Sequence, residues 1–196
     1  MRFLNAVRVL ATSAAVIVRG VANVVTRRID PSRSALGVGD VAPEFELRAS
    51  NERTYRLSSY RGRSAVVLAW FPAAFTGGCT IECRSISAFD SALESFDAVV
   101  FGASVDEVST LGAFAAAFEL RFPILSDPDR TVARAYGVLG ASGLAGRVTF
   151  YIGLDGRITA VDRSGTTATH GASIEETLIR LGIPRRPATV APALTS

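Results

Sequence analysis

Two continuous apolar runs constrain this chain more than anything else in it. Residues 64–71 read S-A-V-V-L-A-W-F and residues 98–104 read A-V-V-F-G-A-S. Both are short, rich in β-branched residues and free of charge, the pattern of strands covered on both faces. A strand of that kind needs a layer of structure above it and another below. The chain is therefore expected to build a central sheet between helices.

The rest of the pattern supplies those layers. Short strands are expected at 45–47 and 54–57, a helix over about 79–96, a helix over 108–118, a short strand at 122–125, and a helix ending at Tyr136. Residues 148–152 and 158–162 flank Leu154-Asp155-Gly156, a hairpin signal, and residues 173–181 close as a helix. The order is that of an α/β, three-layer, thioredoxin-like fold with a central mixed β-sheet flanked by helices. At 48% hydrophobic and 20% charged residues, a chain of 196 residues can bury one substantial core. Three regions are expected: an amphipathic extension and linker at 1–33, the thioredoxin-like domain at 34–181, and a flexible tail at 182–196.

The net charge of +3 is unevenly spread. Residues 1–33 carry six Arg against one Asp, while residues 34–181 carry 13 Arg against 17 acids. The mildly acidic body has no basic patch with interleaved aromatics, so nucleic-acid binding is not expected. Residues 1–28 place Arg8, Thr12 and Arg19 on one helical stripe, opposite Val7, Leu10, Ala14 and Ile17. Their longest charge-free run, residues 9–18, is ten residues, far short of the ~20 a spanning helix needs. Peripheral membrane contact through 1–28 is one expectation for this segment; a targeting peptide and a helix packed on the body or on a partner subunit are the others.

Chemistry is concentrated where the first buried run ends. The strand enters the loop Pro72-Ala73-Ala74-Phe75-Thr76-Gly77-Gly78, which delivers Cys79 to the start of a helix. Reactive groups in open α/β folds gather at such strand ends. The unpaired amides and partial positive charge of a helix N-terminus favour a thiolate, the nucleophilic form of cysteine. Thr76 can bring its hydroxyl near the sulfur, and Gly78 allows close backbone approach. Read from these residues alone, a reactive thiol and a small buried cysteine are equally good accounts of Cys79. Two cysteines in so long a chain form no stapling framework.

Pro72-x-x-x-Thr76-x-x-Cys79 resembles the peroxidatic motif of the peroxiredoxins, matched in full. Further stretches fall in the same order over about residues 37–162: Gly39-Asp40-Val41-Ala42-Pro43-Glu44-Phe45, Phe122-Pro123-Ile124-Leu125-Ser126-Asp127-Pro128 and Arg147-Val148-Thr149-Phe150-Tyr151-Ile152. The resemblance implies a thiol-dependent peroxidase acting on hydrogen peroxide and organic hydroperoxides. In it Cys79 attacks the peroxide, Thr76 orients it, and Arg147 favours the thiolate and polarises the bond. Pro72 shields the pocket, and the amides of Gly78 and Cys79 stabilise developing charge. It also implies a thioredoxin- or glutaredoxin-like reductant, no cofactor, no metal, a cytoplasmic location, and a monomer or homodimer.

The branch most resembled is the bacterioferritin-comigratory, or Q-type, one, where Glu follows the nucleophile by three and a resolving Cys by five. Glu82 keeps the first spacing, whereas Cys83 stands at plus four. Side chains four apart on a helix have Cβ atoms about 5–6 Å apart, but a disulfide wants about 3.5–4.5 Å. The resolving role that the resemblance implies for Cys83 therefore demands local unwinding; the alternative is a one-Cys cycle in which an external thiol meets the sulfenate.

A copper chaperone of the Sco type is the rival from another class. It shares a thioredoxin-like fold, an N-terminal anchor, a Cys-x-x-x-Cys pair and a distant His, which Cys79, Cys83 and His170 imitate. In those proteins the His precedes the late strand, where this chain has Arg147. His170 is accordingly expected to be a surface or loop residue. A thioredoxin-like binding module without turnover fits poorly with Pro72, Thr76, Cys79 and Arg147 together. A disulfide oxidoreductase lacks its Cys-x-x-Cys.

Overall fold

A computed structural model describes residues 36–186. The amphipathic segment expected at 1–28, with the rest of 1–33, lies outside the described residues, as does most of the expected tail. A small antiparallel hairpin comes first, β1 (Glu46–Arg48) with β2 (Thr54–Arg56), followed by a 3-10 turn at Leu57–Tyr60. The elements that follow are β3 (Ala65–Trp70), α1 (Gly77–Ala88), α2 (Asp90–Glu94), β4 (Ala98–Ser104), α3 (Val108–Ala117), β5 (Ile124–Ser126), α4 (Thr131–Ala135), β6 (Val148–Ile152), β7 (Ile158–Asp162) and α5 (His170–Arg180).

The five long-range strands form one sheet in the order β5-β4-β3-β6-β7. β3, β4 and β5 run parallel, while β6 is antiparallel to β3 and β7 to β6, so the sheet is mixed as expected. All six residues of β3 are buried, which is why its sequence shows no alternation. Its side chains still alternate in space. Val66, Leu68 and Trp70 join Phe101, Phe150 and Tyr136 on one face; Val67, Ala69 and Phe71 join Cys79, Cys83, Ile86, Phe114 and Ile174 on the other. The first face is closed by α4, the 3-10 turn and the segment around Phe45, and the second by α1, α2, α3 and α5.

Three boundaries differ from expectation. The single helix foreseen over 79–96 is broken at Phe89, whose backbone (φ −100°, ψ 6°) ends α1 and opens α2. The break turns the Phe89 ring toward Gly171 at the start of α5. The last helix begins at His170, three residues before the expected 173, so His170 belongs to the helix rather than to the loop before it. Residues 183–186, assigned by sequence to a loose tail, are tied to the body. Arg185 bridges Phe96, the Asp97 amide donates to the Pro184 carbonyl (2.7 Å), and the Arg185 guanidinium stacks 4.3 Å over the Phe96 ring.

Candidate active site

The β3–β6 register assembles the site. Trp70 at the end of β3 pairs with Val148 at the start of β6, so Arg147 and the loop after β3 emerge side by side. That loop is held from below by Asp106, just past β4. Its carboxylate accepts from the Ala74 amide (2.8 Å) and the Ser104 hydroxyl (2.6 Å). Phe75 adopts a left-handed backbone (φ 59°), costly for a residue with a side chain. Its ring lies 5.2 Å from Phe114 and 6.2 Å from Phe118 of the α3 segment, contacts that offset the strain.

Thr76 is extended and caps α1 through its backbone; its carbonyl accepts the first helical bond, from the Thr80 amide at 2.9 Å. The amides of Gly77, Gly78 and Cys79 are thereby left without helical partners, forming an electropositive rim at the sulfur. Cys79 itself is 1% exposed. The Thr76 hydroxyl donates to the Ala73 carbonyl (3.0 Å) rather than to the sulfur. In this resting geometry it braces the loop. Pro72, in the same loop, is half-buried.

Arg147 Nη2 donates to Cys79 Sγ at 3.4 Å, and Nη1 is paired with Glu82 Oε2. Gly78 makes room for this. A Cβ there would stand 3.2 Å from Nη2 and press on the guanidinium. Burial works against the arginine's charge, but the Glu82 carboxylate, followed by Cys79, more than offsets it and raises its pKa. A permanent cation is thus fixed at the sulfur.

Cys83 lies one turn further along α1, also 1% exposed and also a free thiol. Burial, followed by the neighbouring Glu82 and Cys79, pushes its pKa up from the ordinary value of 9.0; Arg147 opposes this only weakly. In the folded helix it is therefore a protonated core side chain. It becomes a competent attacking thiolate only if the turn around it opens, as the plus-four spacing already demanded.

His170 corrects an expectation. It is 3% exposed, not a surface or loop residue, and sits behind α1. Its Nδ1 is 2.8 Å from Glu82 Oε1, and its Nε2 is 2.8 Å from Thr149 Oγ1 on β6. The Nδ1–Oε1 approach is close but lies off the axis of a straight hydrogen bond, and neither atom has another partner. Glu82, 1% exposed, thus stands between Arg147 and His170. In the sequence, Glu82 stands at a family spacing with no task attached, and His170 reads as a surface or loop residue. The available signal was the i,i+3 relation of Glu82 to Cys79, which puts both on one helix face.

The rival copper-chaperone reading finds no support in the same geometry. Arg147 stands beside the sulfur, and the two ring nitrogens of His170 face Glu82 and Thr149. Among the described residues no three His, Cys, Asp or Glu side chains are grouped to hold a metal ion.

Residues 38–161 match the model of the AhpC/TSA family. The chain is 37% identical over 131 residues to a putative peroxiredoxin bcp of Haemophilus influenzae, an overlap covering 67% of this chain and 83% of that protein. It is 31% identical over 142 residues to peroxiredoxin Bcp of Escherichia coli, covering 69% and 90% respectively. Among solved structures, peroxidoxin BcpB of Mycobacterium tuberculosis superposes with a TM-score of 0.67 at 31% identity, covering 74% of this chain and 97% of that one. A cysteine-to-serine mutant of PrxQ from Xylella fastidiosa superposes with a TM-score of 0.70 at 25% identity, covering 76% and 99%. The chain belongs to the AhpC/TSA family, as a thiol-dependent peroxidase of the bacterioferritin-comigratory, or Q-type, peroxiredoxin branch.

Proposed function

We propose that Cys79 is the peroxidatic nucleophile and Cys83 its resolving partner. The observation that carries this reading is the Arg147 guanidinium 3.4 Å from a cysteine sulfur at the N-terminus of α1. The Cys79 thiolate attacks one oxygen of hydrogen peroxide or an organic hydroperoxide, and the O–O bond breaks. The leaving oxygen takes up a proton to depart as water or alcohol, and Cys79 becomes a sulfenic acid. Arg147 favours the thiolate and neutralises charge on the peroxide oxygens. The amides of Gly78 and Cys79 face the reacting centre, and Pro72 covers it. Thr76, released from Ala73, turns its hydroxyl to orient the substrate.

The first turns of α1 then unwind. Cys83 loses the burial that keeps it protonated, attacks the sulfenic sulfur, and forms the Cys79–Cys83 disulfide with loss of water. A thioredoxin- or glutaredoxin-like dithiol reduces that disulfide by exchange. A reducing compartment such as the cytoplasm suits this cycle. No helix among the described residues is long and apolar enough to cross a membrane.

Stopped-flow oxidation of the reduced protein by hydrogen peroxide tests the assignment, followed by the fluorescence of Trp70, which lies in the core beside Tyr136. Thiol mass spectrometry identifies the products. Fast oxidation that disappears in Cys79→Ser, with a sulfenate trapped in Cys83→Ser, is the expected result. Oxidation indifferent to Cys79→Ser overturns the nucleophile assignment. A disulfide-free wild-type cycle overturns the role of Cys83.

A further inference from the structure

Arg147 serves two anions at once, and that division is unstable by itself. Its guanidinium gives Nη2 to Cys79 Sγ and Nη1 to Glu82 Oε2. Arginine and carboxylate prefer a two-pronged pairing, in which both carboxylate oxygens take parallel N–H donors. A carboxylate free to turn about its own axis would therefore take both ends of the guanidinium and strip the cation from the sulfur. Glu82 is close enough to do this, since it shares a helix face with Cys79 and is bonded to Arg147 already.

What prevents it is on the far side of the carboxylate. Glu82 Oε1 is turned away from Arg147, to within 2.8 Å of His170 Nδ1. Both atoms are fully buried, and this off-axis approach is the close polar contact that stands in for a hydrogen bond at each. Separating them would take that polar neighbour from two buried atoms. The imidazole is fixed in its turn. Nε2 meets Thr149 Oγ1 at 2.8 Å, and the Gly171 amide of the following residue donates to Ser85 Oγ at 3.1 Å. The Thr149 hydroxyl can donate to Nε2 or accept from it, so this contact holds the ring in place and is compatible with a proton on Nδ1 directed at Glu82.

We propose that His170 is a positioning residue for the peroxidatic thiolate: from the start of α5 it pins Glu82, and through Glu82 it keeps one arm of Arg147 on Cys79. The inference rests on the reading of Cys79 as nucleophile. It gives the last helix a part in the chemistry through Glu82 and Arg147 rather than through contact with the sulfur.

Two substitutions separate the two faces of the ring. In His170→Asn the amide falls where Nδ1 was, so a donor toward Glu82 is kept and the Thr149 contact is lost. In His170→Gln the amide falls where Nε2 was, so the Thr149 contact is kept and Glu82 Oε1 is abandoned. Both are made in full-length protein carrying Cys83→Ser, so that the ultraviolet thiolate absorbance reports Cys79 alone. Two quantities are read: the rate of Cys79 oxidation by hydrogen peroxide, and the pH midpoint of the thiolate absorbance. The Gln variant is expected to oxidise about tenfold more slowly and to titrate at higher pH, with Asn recovering most of both losses. Melting temperatures are recorded alongside, since a purely structural role would lower them in both variants without moving the midpoint. A Gln variant that matches the parent in rate and midpoint overturns the proposal, and so does an Asn variant impaired as much as Gln. Cys79→Ser keeps the two readings apart: if it still consumes peroxide, the nucleophile assignment fails; if it is inert while His170→Gln is normal, the role of His170 alone fails.

Discussion

Gly171→Ala sets two well-understood effects against each other, and the structure decides which wins. Gly171 is the second residue of α5, and its φ lies outside the left-handed region, so alanine is conformationally allowed there. Helix propensity alone favours the change by up to about 1 kcal/mol. The added Cβ, however, would lie 2.4 Å from the Ser85 carbonyl oxygen, 2.8 Å from Phe89 Cδ2 and 3.0 Å from the Ser85 carbonyl carbon. Two of these neighbours are backbone of α1 and cannot swing aside, so α5 must back away. Overpacking of this kind costs about 1–3 kcal/mol. The net expectation is a loss of roughly 1–2 kcal/mol, which for a domain of this size lowers Tm by about 2–8 °C. The displaced helix also carries His170 away from Glu82, so peroxide oxidation should slow as Tm falls. Scanning calorimetry and stopped-flow oxidation of the same preparation measure both. A Tm equal to or above wild type would show that α5 can shift without cost, and would refute the reasoning from close approach.

Removing the cation from the sulfur should be felt more in rate than in folding. Arg147→Met keeps an apolar stem but no donor, and oxidation of Cys79 is expected to fall about 10²-fold; the Glu82 oxygen left behind should cost roughly 1–3 kcal/mol in denaturant unfolding. Unimpaired oxidation would remove Arg147 from the mechanism. Alkaline pH should weaken the reduced protein. Burial pushes the Cys83 thiol up from its ordinary value of 9.0, the Tyr136 phenol up from 10.0, and the Tyr151 phenol from 10.0 to about 12. Groups whose pKa is higher folded than unfolded stabilise fully below the unfolded value, and that stability is lost as pH rises through the folded one. Tm should therefore hold up to about pH 9 and decline above it, less steeply in Cys83→Ala and Tyr151→Phe; a decline unchanged by both substitutions would contradict the assignment.

Much of this molecule was legible in its sequence because its strongest signals are local. β3 and β4 announce themselves as uninterrupted apolar runs, since strands covered on both faces have no solvent side to mark with polar residues. The β6–β7 hairpin is marked by Leu154-Asp155-Gly156, where Gly156 takes the positive φ (77°) the turn requires. Pro72, Thr76, Gly78 and Cys79 sit within one loop and helix start, so their association needs no long-range contact to be seen.

What the sequence could not decide was everything that depends on which surfaces meet. The helix foreseen over 79–96 breaks at Phe89, where α1 and α2 receive α5, and helical periodicity carries no trace of a neighbour so distant along the chain. Arg147 could be placed near Cys79 only by resemblance; physically it is put there by the pairing of Trp70 with Val148. Cys83 could be spaced from Cys79 on paper, but its protonated, buried state follows from the core packed around it. His170 and Glu82 are separated by most of the domain, and each alone reads as an ordinary polar residue. Burial of both away from solvent leaves each the partner the other needs, a requirement that exists only after the helices have packed.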